Sequence, residues 1–160
     1  AINGALSIMF GGPKKKLTQI NNLMQSYSKN IVYIGPSGHG QLTKMVNQLC
    51  IASLIQGLSE GIALGKKAHL NMDKVAQAIS GGAAQSWQMD NRFKSMINGD
   101  FDFGFAVDLM IKDLEIALNQ SNKLAIKVPS SKSVLLNYKK LSSQGDGRLD
   151  TSSLIKLLNN

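Results

Sequence analysis

Apolar residues form two short β-favouring runs near the start of the chain and recur at three- and four-residue steps afterwards. Ala5-Leu6-Ser7-Ile8-Met9-Phe10 reads as a strand closed by Gly11-Gly12-Pro13. Lys16 to Tyr27 carries helical spacing through Leu17, Ile20, Leu23 and Met24. Ile31-Val32-Tyr33-Ile34 is a second strand, stopped by the turn Gly35-Pro36-Ser37-Gly38-His39-Gly40. A long helix then runs from Gln41 to Ala63 with Ile51, Ile55, Leu58 and Ile62 on its apolar face. Strand, helix, strand in about 35 residues is a βαβ unit, whose parallel pair needs neighbouring strands to cover it. The chain is therefore expected to begin inside a larger α/β domain.

Beyond Gly40 the pattern predicts helices alone. Met72-Asp73 opens one with an acid in its first turn, running through Val75, Ala76 and Ile79 to Gly81-Gly82. Ala84 to Ile97 is another, with Trp87, Phe93 and Met96 read as packing and Asn98-Gly99-Asp100 as its stop. Phe101-Asp102-Phe103-Gly104-Phe105 is an aromatic connector. Val107 to Leu124 follows as a helix through Leu109, Leu114, Ala117 and Leu118. Val128-Pro129 starts the next, which buries Val134, Leu135, Tyr138 and Leu141. Gly145-Asp146-Gly147 is a turn, and Thr151 to Leu158 a last short helix. The expected class is mostly α: residues 1–35 as the end of a cofactor-binding domain, residues 36–160 as an all-helical domain.

Composition narrows the classes. Hydrophobic residues at 43% and charged ones at 18% over 160 residues describe a globular chain with a real core, not a disordered one. Ala1-Ile2-Asn3-Gly4 lacks the basic start and apolar stretch of a signal peptide. Asn47, Gln48, Ser53, Gln56 and Ser59 interrupt the long helix too often for a membrane span. The single cysteine, Cys50, excludes an internal disulfide, fits a cytoplasmic protein and is expected in the core. The net charge of +8 is skewed, with five lysines and no acid up to Ser59. That favours anionic partners. Nucleic acid fits poorly, because arginines number only two and no nucleic-acid motif is present.

Lys44, Asn47 and Gln48 fall at i, i+3 and i+4 and share one helix face just past a glycine-rich turn. A cation and two amides presented together form the candidate site. The rival readings are structural: Lys44 as a surface lysine, the amides as partners of backbone groups. Gly35-x-x-Gly38-x-Gly40 matches neither a Walker loop nor the dinucleotide fingerprint, since Gln41 and Thr43 stand where those patterns need other residues. His39 is read as a solvated turn residue and Lys14-Lys15-Lys16 as a solvated helix start. Asp108 and Lys112, four apart, read as a helix ion pair. Asp146-x-x-x-Asp150 lacks the remaining ligands of a calcium loop, and no metal site is expected.

Four stretches in order resemble the β-hydroxyacid dehydrogenases. They are Gly4-Ala5-Leu6-Ser7-Ile8-Met9-Phe10-Gly11-Gly12, then Gly35-x-x-Gly38-x-Gly40-x-x-x-Lys44-x-x-Asn47, then Gly81-Gly82-Ala83-Ala84-Gln85-Ser86-Trp87 with Gly99-Asp100-Phe101-x-x-Gly104-Phe105, and Lys112-Asp113-Leu114. That family includes 3-hydroxyisobutyrate dehydrogenase, tartronate semialdehyde reductase and, more distantly, 6-phosphogluconate dehydrogenase. The resemblance implies a Rossmann domain for NAD or NADP, a long helix leaving it, and an all-α domain that closes the site.

By that comparison Lys44 falls on the catalytic lysine and Gly40, Asn47 and Gln48 on the substrate side. Lys112 and Phe105 fall on the cofactor side. The family's G-x-G-x-x-G and Ser-Gly-Gly motifs would lie before Ala1, so this chain is expected to be the C-terminal part of such an enzyme, inactive by itself. The implied reaction moves hydride between the cofactor and a small carboxylate substrate, a 3-hydroxyacid or its semialdehyde, while Lys44 moves the proton. A homo-oligomer is also expected. Two other classes remain: a non-catalytic helical binding module, and a fragment whose truncated surfaces chiefly drive assembly.

Overall fold

A computed structural model describes residues 5–158. The reading of Ala1 to Gly4 as lacking a leader, and Gly4 of the first motif, lie outside the described residues. The fold is mostly helical with one two-stranded parallel sheet among the described residues. Strand β1 (Leu6–Gly11) leads into helix α1 (Lys14–Gln25), which returns the chain to β2 (Ser28–Gly35). Met9 lies opposite Val32 and Phe10 opposite Tyr33. The strand–helix–strand reading therefore has its parallel pair, though β2 starts three residues earlier than its apolar run suggested. Ser28 explains the difference: its hydroxyl donates to the Met24 carbonyl at 2.7 Å, so the end of α1 and the first residue of β2 are tied together.

Helix α2 (His39–Lys67) is 29 residues long. It begins two residues ahead of the predicted start, so His39 is its first residue rather than part of the turn, though still exposed. The chain divides into two compact units, Ala1–Asn47 and Gln48–Asn160.

In the first unit two glycines allow a close approach. A Cβ on Gly40 would run into the Met9 carbonyl oxygen, and one on Gly11 would meet the Gly40 amide and the Pro36 carbonyl. Backbone therefore packs on backbone where α2 starts beside the end of β1.

The second unit contains α3 (Met72–Ile79), α4 (Trp87–Asn98), α5 (Val107–Lys123) and α6 (Pro129–Leu141). A wide π-type turn, Ser142–Asp146, and a 3-10 helix, Thr151–Leu158, complete it. Side-chain caps fix two starts: Asn71 accepts from the Lys74 amide and Ser86 from the Met89 amide. Gly99, at φ 82°, ends α4 in the left-handed conformation a side chain would resist. One apolar cluster joins Ile55 of α2, Met110 and Leu114 of α5, and Val134, Tyr138 and Leu141 of α6. A second gathers Ile62, Met72, Phe93, Met96, Phe101 and Ile155. Two residues expected in the core lie outside it. Trp87 is 60% exposed and Cys50 is also exposed, because each occupies the helix face opposite the buried one.

Candidate functional site

Lys44 is exposed and lines a cavity of about 440 Å³ in the first unit, together with Ser7, Met9, Phe10, Gly11 and Gly40. Gly11 and Gly40 line it where their backbones pack on one another, with no room for a side chain between them. Gly40, proposed from sequence as a substrate contact, is buried and has packing as its visible job. Asn47 is half-buried three residues along α2 from Lys44. Lys44 and Gly40 therefore line one concavity.

In the second unit, Gln48 is only 2% exposed. Its side-chain amide donates to Asp113 Oδ2 at 2.8 Å. The other carboxylate oxygen of Asp113 lies 3.1 Å from Lys112 Nζ. Two sequence candidates from different helices thus converge on Asp113. The Asp108–Lys112 pair expected from i, i+4 spacing is not formed. Asp108 instead accepts from the Ser142 hydroxyl at 2.6 Å, while Lys112 turns to its neighbour.

Phe105 is half-buried, and its backbone N–H donates to Asp150 Oδ2 at 2.9 Å. Asp150 is fully buried. It also accepts from Arg92 Nε at 3.0 Å, from the Ser152 amide at 3.0 Å and from the Ser152 hydroxyl at 2.6 Å. A buried carboxylate is tolerated because a cation and three further donors surround it. The Arg92 guanidinium is in turn flanked by the rings of Trp87 and Phe103, with centroids 5.1 and 4.9 Å away. That contact explains why Trp87 stands outside the core. Gly104, at φ 74°, leaves the room Asp150 needs, since a Cβ there would strike its carboxylate. Sequence reading missed this centre. The signal available was the Asp150-Thr151-Ser152 turn in a chain with only two arginines to neutralise an inward acid.

Tyr138 lies beside the same centre, fully buried, with its hydroxyl donating to the Thr151 carbonyl at 3.3 Å. Burial raises its phenol well above the ordinary value and the charge of Asp150 raises it further, against a smaller lowering by the Thr151 hydrogen bond. Asp146 is paired with Lys156, so neither acid of the 146–150 stretch is idle. Among the described residues no group of three His, Cys, Asp or Glu side chains is arranged to hold a metal ion.

The family model described as NAD-binding of NADP-dependent 3-hydroxyisobutyrate dehydrogenase matches residues 38–158. An uncharacterised oxidoreductase of Shewanella frigidimarina is 46% identical over 158 residues, covering 99% of this chain and 54% of that protein. The 2-hydroxy-3-oxopropionate reductase of Escherichia coli is 33% identical over 158 residues, again 99% of this chain and 54% of that one. Among solved structures, 3-hydroxyisobutyrate dehydrogenase from Salmonella typhimurium matches with a TM-score of 0.89 at 26% identity, covering 98% of this chain and 55% of that one. The chain spans about half the length of the curated relatives it matches. It belongs to the 3-hydroxyisobutyrate dehydrogenase family, whose cofactor is NAD or NADP.

Proposed function

We propose that this chain is the helical, C-terminal part of an NAD(P)-dependent dehydrogenase that interconverts a small 3-hydroxyacid and its semialdehyde. Lys44 is its proton-transferring residue. The observation that carries this reading is Lys44 with Gly40 at a cavity of about 440 Å³, both residues within the stretch that the family model covers. In the reducing direction the Lys44 ammonium gives a proton to the carbonyl oxygen, and in the oxidising direction the amine takes one from the hydroxyl. Asn47 orients the substrate without adding charge. The acid-free surroundings of Lys44 in sequence suit a substrate carboxylate.

The residues present fit the cofactor at its anionic side. Lys112 has a side chain 62% exposed and an ion pair to a single carboxylate, so its ammonium keeps hydrogens to offer a phosphate oxygen. Lys112 and Phe105 would hold the cofactor, which when bound supplies the two-electron transfer to or from the substrate carbon. Lys44 is exposed in this chain. Water exclusion around it is assigned to the cofactor-binding half that residues 1–35 would complete.

The helical domain of residues 36–160 doubles as the dimerisation domain of a homo-oligomer. Exposed Leu64 and Leu136 supply apolar surface for it. No helix among the described residues is long and apolar enough to cross a membrane.

The complete enzyme should turn over 3-hydroxyisobutyrate or 2-hydroxy-3-oxopropionate with NAD(P). In it Lys44→Ala should depress kcat about 10²–10⁴-fold while NADPH affinity stays within about twofold. Equal losses in both would make Lys44 a binding residue.

A further inference from the structure

Gln48 and Asn47 are neighbours on α2, and adjacent helix positions point about 100° apart. The shared face expected from sequence does not present them alike, since Gln48 is buried while Asn47 is only half-buried. Gln48 is buried, and its amide nitrogen is engaged by Asp113 at 2.8 Å and faces the thioether of Met110 at 3.9 Å. Asp113 and Lys112 are adjacent on α5, so their side chains also diverge by helix geometry. The Asp113 carboxylate must lie along the helix surface to put one oxygen near Lys112 Nζ. It does so with its side chain 15% exposed and its second oxygen bound to Gln48.

We infer that Gln48 is a positioning residue for Lys112. It holds back one oxygen of Asp113 so that Lys112 meets only the other and keeps donors for a cofactor phosphate, and the amide contact to the hydroxyacid falls to Asn47. This rests on the assignment of Lys112 to the cofactor made above. A carboxylate released from Gln48 can turn both oxygens onto the ammonium, which then competes with the phosphate for the same hydrogens. The direction of the effect follows: losing the Gln48 amide weakens cofactor binding without touching substrate recognition.

Gln48→Met keeps the length and volume of the side chain and removes its polar end. In the complete enzyme, fluorescence titration with NADPH should show affinity falling about three- to tenfold. The KM for 3-hydroxyisobutyrate or 2-hydroxy-3-oxopropionate should stay within about twofold. Asn47→Ala should show the opposite split. A separate arm needs no cofactor: in the 160-residue chain, denaturant unfolding of Gln48→Met, Asp113→Asn and the double variant should give less than additive losses. Additive losses would mean that the bridge is not formed and would overturn the inference. A raised substrate KM with unchanged NADPH affinity in Gln48→Met would overturn it in favour of a substrate contact. If Lys112→Ala leaves NADPH affinity unchanged while the unfolding losses remain coupled, the cofactor assignment of Lys112 is the part that fails, and the positioning role falls with it.

Discussion

Asp150 shows how much one inward acid can organise. With no exposure and four donors on its two oxygens, it joins α4, the connector before α5 and the 3-10 helix. Taking away the carboxylate leaves Arg92 without its counter-charge and the Phe105 N–H without its acceptor. Asp150→Ala should therefore destabilise the chain by about 3–5 kcal/mol in denaturant titration, the range for breaking a buried pair. Tyr138 makes a prediction about pH. Below about pH 10 folded and unfolded chains both keep a phenol proton. Above it the unfolded chain ionises while buried Tyr138 holds its proton, so its contribution to stability is lost as pH rises from there. Melting temperatures should drop more steeply between about pH 9.5 and 11 in the wild type than in Tyr138→Phe. At neutral pH that variant should be weaker by about 1 kcal/mol, for the hydrogen bond to Thr151. Neither centre could be read from spacing, because one depends on residues 58 positions apart (Arg92 with Asp150) and the other on the depth of a ring in the core. The Asp108–Lys112 pair failed for a related reason: a neighbour from the turn after α6, Ser142, offered Asp108 a shorter bond.

At the scale of elements, local chemistry set most boundaries. Pro129 opens α6 and Gly99 closes α4, where glycine and proline have few other uses. The apolar period placed Val134, Leu135, Tyr138 and Leu141 on the buried face of α6. Period alone did not tell which helix positions another element would cover. Trp87 matched an apolar step and Cys50 was expected in the core, yet both stay outside, and Leu109 is half exposed despite its place in the α5 pattern. The glycines of the turn were recognisable, but their purpose was not. Gly11 and Gly40 serve backbone contact between β1 and the start of α2. Gly40→Ala should force that contact apart. It should accelerate amide exchange in β1 and the first turn of α2 while leaving α5 and α6 near wild type. Uniform acceleration throughout would show that the two compact units do not open separately.

For the molecule as a whole, a two-stranded sheet is a marginal structure by itself. The first unit shows this in its exposed Val32 and Tyr33, whereas the second unit carries two apolar clusters. The family match says where such a unit belongs: in proteins about twice this length. The 160-residue chain alone should show no turnover of 3-hydroxyisobutyrate and no tight NADPH binding by fluorescence titration. Turnover by the pure chain would refute its assignment as one part of an enzyme. The central claim is proton transfer by Lys44, and chemical rescue tests it most directly. In the complete enzyme, methylamine added to Lys44→Ala should restore turnover in proportion to its concentration while leaving NADPH affinity as it was. A Lys44→Ala enzyme that keeps wild-type kcat, or whose lost activity returns only on raising NADPH, would contradict the account.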